Sequence, residues 1–167
     1  MLFRSHEATF SGDSYGFRTG RSAHDAQKRI FLHLRRKDNL SNKKKRVIEL
    51  DIKKCFDRIS HESILERVKA PKEVKEAIFK ALKKGTFPEF PDQGTPQGGI
   101  FSPLLANIAL DGIENIHPSI RYADDMVLFL KEKDNANKIL GKVKAFLAER
   151  GMEISEEKTR ITPVTKG

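Results

Sequence analysis

Two adjacent acidic residues, Asp124 and Asp125, stand between Tyr122 and a run of five apolar residues at 126–130. The run is short and contains Val and Phe, which predicts a buried strand, and residues 119–122 predict a shorter strand before it. The acidic pair then falls at the tip of a tight hairpin, where aspartate is a common turn residue. Two neighbouring carboxylates repel each other, and divalent cations take oxygen ligands from aspartate. The pair therefore indicates a metal site for phosphoryl transfer, with a plain turn as the alternative.

A third acid, Asp51, lies at the end of a predicted strand at 47–52, in which apolar and polar residues alternate. The order strand, helices, hairpin, helix, strand is typical of an α+β fold with a split βαβ, ferredoxin-like antiparallel sheet that helices cover on one face. In such a sheet Asp51 and the turn at 124–125 lie on neighbouring central strands. A two-metal site, with ions about 3.5–4 Å apart, activates the attacking oxygen and stabilises the leaving one. Three acids suffice for it, because Mg²⁺ also takes substrate phosphates as ligands.

A glycine-rich loop at 94–99 is a second candidate for chemistry. Glycines let the backbone approach a ligand closely, and Gln97 offers both a donor and an acceptor, so the loop is suited to line a nucleotide or base-pair pocket. The alternative is a plain helix entry, in which Ser102 is the N-cap.

Four further residues have both a functional and a structural interpretation. Arg18 and Arg21, in the loop at 16–22, are suited to hold a triphosphate or a template phosphate, or they belong to a solvated loop. Phe56 is suited to pack against a sugar and exclude a 2′-hydroxyl, or it is a core residue. Lys158 is suited to protonate a pyrophosphate leaving group, or it is simply exposed.

The overall composition favours a polyanionic partner. The length of 167 residues suits one globular domain. The net charge of +9 and the sequence pI of about 9.7 suit a polyanionic partner. The basic run at 43–46 is interpreted first as a solvated loop and alternatively as a contact to backbone phosphates. The single Cys55 fits a reducing compartment, and we expect a cytoplasmic location. No apolar run approaches the roughly 18 residues of a membrane helix, so we expect no membrane partner.

The remaining pattern completes the set of expected elements. Residues 1–22 are expected to be irregular. Helices are predicted at 23–36, 61–69, 71–84, 102–115 and 134–150, and short strands within 152–164.

Five stretches of the sequence, in order along the chain, resemble the reverse transcriptase domain of group II intron-encoded proteins. These stretches are residues 15–26, 51–57, 94–107, 121–125 and 157–160. The stretch at 94–107 is very specific to this branch, and Tyr-Ala-Asp-Asp at 122–125 is moderately so. Two departures are Thr19, where the family often has proline, and a short segment between Asn107 and Tyr122.

The resemblance implies a right-hand polymerase fold, of which this chain supplies the palm and part of the fingers. Residues 1–46 would form part of the fingers and residues 47–167 the palm, with fingers elements interleaved at about 70–100. A thumb is expected to be absent from the chain.

The resemblance also assigns roles at the site. Asp51, Asp124 and Asp125 would be the catalytic acids that bind two Mg²⁺ ions, with Mn²⁺ as an alternative ion, and the carbonyl of Ile52 would also touch metal. Phe56 would be the sugar gate that favours deoxynucleotides, and Lys158 the acid for pyrophosphate. The substrate contacts would come from Arg18, Arg21, Gln97, Gly98 and Tyr122.

The implied reaction is attack of a DNA primer's 3′-hydroxyl on the α-phosphate of a deoxynucleoside triphosphate, directed by an RNA template. The implied partners are template, primer, deoxynucleotides and intron RNA. One alternative is an RNA-binding, maturase-type module that assists intron splicing. Another is a different palm-type enzyme such as a nucleotide cyclase, which has no use for the stretch at 94–107.

Overall fold

The structure is a computed structural model that describes residues 2–35, 45–53, 55–84, 91–95 and 101–164, without the side chains of Leu2, Phe3 and Phe56. The helices are α1 (Leu2–Glu7), α2 (Ala23–Arg35), α3 (Cys55–Arg58), α4 (His61–Arg67), α5 (Lys72–Lys84), α6 (Ser102–Leu110) and α7 (Ala136–Ala148). The strands are β1 (Arg46–Lys53), β2 (Ser119–Tyr122), β3 (Asp125–Leu130), β4 (Glu153–Ile154) and β5 (Arg160–Pro163).

The described strands form an antiparallel sheet in the order β2-β3-β1-β4, and β5 also pairs with β1. β3 pairs with β1 from Arg46 to Asp51, so β4 and β5 share the opposite edge of β1. The hairpin of β2 and β3 extends the sheet on the other side. This topology confirms the expectation that Asp51 and the hairpin lie on neighbouring strands.

One face of the sheet packs against helices and forms the main core. Its central side chains are each at most 3% exposed and come from Ile48, Leu50, Ile52, Met126 and Leu128. Helices α4, α6 and α7 cover this face, and every residue of α6 except Pro103 is buried. Since alternate side chains of a strand point to opposite faces, the residues between these apolar ones lie on the other face.

The opposite face carries Glu49, Asp51 and Asp125, and we call it the acid face. Helix α2 packs over part of it, where Ala26 joins Ile120 in a second, smaller cluster of buried residues. The expectation that helices cover one face only is therefore wrong. The reason is that the apolar side of the amphipathic α2 packs against Ile120 of β2, beside the acids.

The ends of several elements differ from the sequence predictions. The first residues form α1 instead of an irregular segment, and His6 at its end is buried, where its Nε2 accepts a hydrogen bond from the Lys69 amide (3.0 Å). Helix α6 ends at Leu110, well before residue 115, because Gly112 adopts a φ of 97° and a 3-10 turn follows at Ile113–Asn115. Among the described helices, none has the length and apolar character needed to span a membrane.

Candidate active site

Asp51 on β1 and Asp125 on β3 lie directly opposite each other in the sheet register. The amide of Ile52 donates to the carbonyl oxygen of Asp124 over 3.1 Å, so residues 51 and 125 form a non-hydrogen-bonded pair. In such pairs the Cα atoms are about 4.5 Å apart and the side chains are at their closest. The two carboxylates therefore meet on the acid face.

Asp124 belongs to the two-residue turn that joins β2 to β3. Ala123, the first residue of this turn, has a φ of 55°, a left-handed conformation that residues other than glycine rarely adopt. The N–H and C=O of one strand residue point to the same side. Because the N–H of Ile52 reaches the carbonyl of Asp124, the carbonyl of Ile52 also faces the hairpin. Two carboxylates and this carbonyl are thus gathered at one end of the strand pair, and Asp124 stands beside them in the turn.

Lys158 reaches the acids from the segment between β4 and β5. Its Nζ lies 3.1 Å from Oδ2 of Asp51, although the side chain is 71% exposed. The segment is held in place because the Ser155 amide donates to the carbonyl of Asp51 (2.8 Å) and the Lys158 amide donates to the carbonyl of Ser155 (3.2 Å). The hydrogen bond to Asp51 raises the pKa of Lys158 above its usual value, so its ammonium is charged at neutral pH.

The clustering of the acids destabilises the charged form of Asp125. Burial raises the pKa of its carboxyl above the ordinary aspartate value, and the charges of Asp124 and Asp51 raise it further, while Lys158 opposes them. The acid face therefore has an excess of negative charge that Lys158 offsets only in part.

The acids are suited to a divalent cation. Carboxylate and carbonyl oxygens are the ligands of Mg²⁺, which usually takes only one or two carboxylates and completes its shell with water and substrate phosphates. Within the described residues, no three side chains of His, Cys, Asp and Glu are arranged so that they could hold a metal ion by themselves. The donor chemistry and the excess charge thus fit an ion that is held jointly with substrate.

Replacing Asp125 with Asn is expected to raise the free energy of unfolding by roughly 0.5 kcal/mol in metal-free buffer at neutral pH, a gain that solvent screening keeps small. The amide removes one of the clustered charges. Folding raises the pKa of Asp125, so its charge destabilises the folded state at any pH above the folded-state pKa. The stability difference between the variant and the wild type should vanish below the unfolded-state pKa of about 3.9, where the carboxyl is protonated in both states. Urea unfolding across this pH range measures the difference. A variant less stable than the wild type at pH 7 would contradict the charge excess.

A cleft of about 310 Å³ opens beside the acids on the acid face. Its polar lining includes Asp51, Asp125 and Lys158, and its apolar wall comes from α2 and β2. Tyr122 is 36% exposed and lines the same cleft. A substrate bound here would contact the acids and an apolar wall together.

The two arginines of the loop at 16–22 have different surroundings. Arg18 is 8% exposed, and its guanidinium donates to Oε1 of Glu7 (2.7 Å) and to the carbonyls of Ser11 (2.6 Å) and Ser14 (2.8 Å). Arg18 thus joins α1 to the following loop, and a phosphate would have to compete with these partners. Arg21 donates to the carbonyls of Gly12 and Ser14 and is less buried.

Several predicted residues lie outside the described part. Gln97 and Gly98 belong to the undescribed range 96–100, the first two residues of the basic run at 43–46 fall in another such range, and Phe56 lies in α3 without a described side chain. The start of the glycine-rich loop is described. A Cβ on Gly94 would lie 2.8 Å from the carbonyl oxygen of Asp57, and its φ is 90°, so a glycine is required there. Ser102 is the first residue of α6 and not its N-cap, which is Phe101.

Arg121 is a buried residue to which the sequence analysis gave no role. It is 1% exposed, and its Nε donates to Oε1 of Glu114 over 2.7 Å. A charged residue inside a short strand, two residues before the turn at 123–124, was the available signal. A buried charge normally requires partners, but those partners could not be identified from local pattern.

Comparison with known proteins gives a consistent result. A family model described as reverse transcriptase (RNA-dependent DNA polymerase) matches residues 2–166. Maturase-like protein 1 of Euglena gracilis is 31% identical over 163 residues, which are 97% of this chain and 35% of that protein. The group II intron-encoded protein LtrA of Lactococcus lactis subsp. cremoris is 37% identical over 121 residues, which are 68% of this chain and 19% of that protein.

Among solved structures, apo telomerase from Candida tropicalis superposes with a TM-score of 0.70 at 15% identity, over 96% of this chain and 35% of that one. At this identity the likeness concerns the fold, and it confirms the predicted palm-type α+β architecture. The chain spans about a third or less of the length of these similar proteins.

Proposed function

The chain belongs to the reverse transcriptase (RNA-dependent DNA polymerase) family, with relatives among group II intron-encoded proteins, and we propose that it carries the catalytic acids of an RNA-directed DNA polymerase. The main supporting observation is the direct opposition of Asp51 and Asp125 on neighbouring strands, with Asp124 in the adjoining turn. A structural turn alone has no need for a third acid at this position.

Asp51, Asp124 and Asp125 would hold the divalent ions, and the carbonyl of Ile52 faces the same site. Two Mg²⁺ ions are the proposed occupants, with Mn²⁺ as an alternative ion. When bound, such ions supply charge stabilisation to the attacking and leaving oxygens. In the reaction, the primer 3′-hydroxyl loses its proton to water and its oxygen forms a bond to the α-phosphorus. The bond from that phosphorus to the bridging oxygen breaks as pyrophosphate leaves.

Other side chains of the chain would orient the reactants and move a proton. Lys158 holds a proton on Nζ beside Asp51, and we assign to it the protonation of the departing pyrophosphate. Tyr122 lines the cleft and would pack against the substrate. Arg21 would contact the triphosphate. The assignments of Phe56 as sugar gate and of Gln97 and Gly98 as nucleotide contacts are supported by the family resemblance.

The proposed partners are an RNA template, a DNA primer, deoxynucleoside triphosphates and intron RNA. A net charge of +9 supports a nucleic acid partner, because phosphate contacts dominate such affinities.

Primer extension tests the polymerase proposal. The chain, in excess over an RNA template annealed to a labelled DNA primer, should add a single templated deoxynucleotide when Mg²⁺ is present. Addition should stop in EDTA, should recover with Mn²⁺, and should be slower with ribonucleotides. Failure to incorporate any nucleotide under all of these conditions would contradict the proposal for this chain.

A maturase-type RNA-binding module is the second candidate. It is supported by the basic charge and by the relative named maturase-like protein 1. Binding to intron RNA that is salt-dependent, persists when the acids are replaced, and is accompanied by no nucleotide incorporation would favour this function over polymerisation.

A further inference from the structure

The turn that carries Asp124 is strained at its first residue. Ala123 has a φ of 55°, and a two-residue hairpin turn with positive φ at this position normally takes glycine there. Alanine pays a steric penalty in this conformation. Some other interaction must hold the backbone in place, because a relaxed Ala123 would move the two acids that follow it, Asp124 and Asp125.

Arg121 is the side chain that contacts this strained residue. Its Nη1 donates to the carbonyl of Ala123 (3.0 Å) and also to Oδ1 of Asn107 (3.0 Å). Its Nη2 donates to Oγ of Ser14 (2.8 Å). The guanidinium thus joins the turn to α6 and to the N-terminal segment, with all three contacts buried.

Glu114 balances the charge of this arginine. Its side chain is 3% exposed, and its Oε1 accepts the Arg121 Nε–H. Its other oxygen, Oε2, is buried with no hydrogen-bond partner among the described residues. The buried charge of this carboxylate is therefore compensated by Arg121. The hydrogen bond between them also fixes the plane of the guanidinium relative to the 3-10 turn at 113–115.

The backbone on both sides of Arg121 is fixed as well. Its amide donates to the carbonyl of Asp13 and its carbonyl accepts from the amide of Tyr15, each over 2.9 Å. Asn107, which accepts from Arg121, donates in turn to the carbonyl of Gly16 (2.9 Å). Arg121 is therefore the centre of a rigid support behind the turn.

We propose that Arg121 is a positioning residue that holds Asp124 and Asp125 at the metal-binding geometry by fixing the carbonyl of Ala123. This role rests on the proposed function of the acids. Within the part of the chain that the structure describes, Arg121 makes no hydrogen bond or ion pair with either acid side chain, and it acts through the backbone of the turn. A planar fork with five donors is required, because one group must serve Glu114, Asn107, Ser14 and Ala123 together.

The test compares Arg121→Lys with Arg150→Lys. Lysine keeps the positive charge opposite Glu114 but cannot bond to four partners in one plane. Arg150 is a matched control, because it is 6% exposed and bonds to the carbonyls of Ala109 (2.7 Å) and Phe146 (2.8 Å), away from the turn. Both variants lose a buried guanidinium, and only one of them loses the support of the turn.

The direct readout is hydrogen exchange of the Ile52 amide, which donates to the carbonyl of Asp124. Arg121→Lys should lower the protection of this amide by about tenfold or more and weaken Mn²⁺ binding, followed by electron paramagnetic resonance, by about 10–100-fold. Arg150→Lys should leave Mn²⁺ affinity unchanged. Its Ile52 amide should lose protection only as far as the variant's global stability falls. In primer extension the loss should fall on kcat, with the KM for the deoxynucleotide nearly unchanged.

Ala123→Gly provides the rescue. Glycine adopts positive φ without penalty, so adding it to Arg121→Lys should restore Ile52 protection and Mn²⁺ affinity to near the wild-type values. A role of Arg121 in global stability alone would leave the local defect uncorrected. If Arg121→Lys fails to fold, the double variant Arg121→Met, Glu114→Gln replaces it, because it removes both buried charges together. Ile52 exchange and Mn²⁺ binding are then measured on the double variant, with the same expected losses.

Unchanged Ile52 protection and Mn²⁺ affinity in folded Arg121→Lys would overturn the proposal, as would a defect that Ala123→Gly leaves in place. These two readouts need no polymerase activity. A wild-type chain that binds Mn²⁺ but incorporates no nucleotide would therefore contradict the proposed function and leave the positioning role to be decided by exchange and metal binding.

Discussion

Replacing Asp124 with Asn is expected to lower RNA-templated nucleotide incorporation by about 10²–10³-fold or more, the scale of losing a preorganised electrostatic group, while the fold persists. The fold persists because the backbone carbonyl of Asp124, and not its side chain, accepts the hydrogen bond from Ile52. Asparagine keeps the size of the side chain and its position in the turn but removes its charge. Single-nucleotide incorporation in Mg²⁺ measures the loss, and circular dichroism confirms the fold.

The matched control for this prediction is Glu149→Gln. It removes one negative charge from a side chain that is 72% exposed at the end of α7, and it should leave incorporation unchanged. Mg²⁺ should also stabilise the wild type against unfolding, by about 1.4 kcal/mol at ten times the dissociation constant. Asp124→Asn should lose most of this stabilisation. Equal incorporation by Asp124→Asn and the wild type would refute the assignment of this acid.

Replacing Gly16 with Ala is expected to destabilise the fold by about 2–3 kcal/mol, in the upper range for overpacking, and to reduce incorporation strongly. A Cβ at this position would lie 2.3 Å from the backbone nitrogen of Ala123. The backbone of the segment around Gly16 cannot move away easily, because hydrogen bonds hold it. The Gly16 carbonyl is bonded to Asn107 and the neighbouring Tyr15 amide to Arg121. Relief would therefore come from displacement of the turn that carries Asp124.

Gly12→Ala is the control within the same segment, because a Cβ there would meet no atom within 4 Å. Urea unfolding of both variants gives the difference in stability, and single-nucleotide incorporation gives the functional effect. Gly12→Ala should behave like the wild type. If Gly16→Ala matched it in both measurements, the close approach of the N-terminal segment to the acidic turn would be wrong.

Much of the sheet was predictable because its signals are local. β1 alternates apolar and polar residues, and the apolar run after Asp125 identifies β3. The acidic pair where β2 passes into β3 consists of aspartates, which are common turn residues. The helices α2, α5 and α7 were also placed to within about two residues of their observed ends, since each has an amphipathic pattern or a capping residue at its start.

The surroundings of the arginines were not predictable from local signals. Arg18 lies in a loop with two glycines, where a solvated or phosphate-binding side chain is a normal expectation. Its burial depends on Glu7, which lies eleven residues earlier on the unexpected helix α1. Arg121 likewise depends on partners from three separate segments, 14, 107 and 114. A buried charge is tolerated only where such partners converge, and convergence is a property of the folded chain.

The sequence by itself therefore determined which residues are the candidates for the proposed chemistry, because three aspartates, a lysine and a glycine-rich loop are recognisable by residue type and order. It also determined that Asp51 and the acidic hairpin belong to a common sheet, through alternation and turn composition. Only the tertiary structure decided that residues 51 and 125 form the closely spaced type of strand pair and that Lys158 meets Asp51. It also decided that Arg121 supports the strained residue between the strands, since register and burial arise from contacts between residues far apart in the chain.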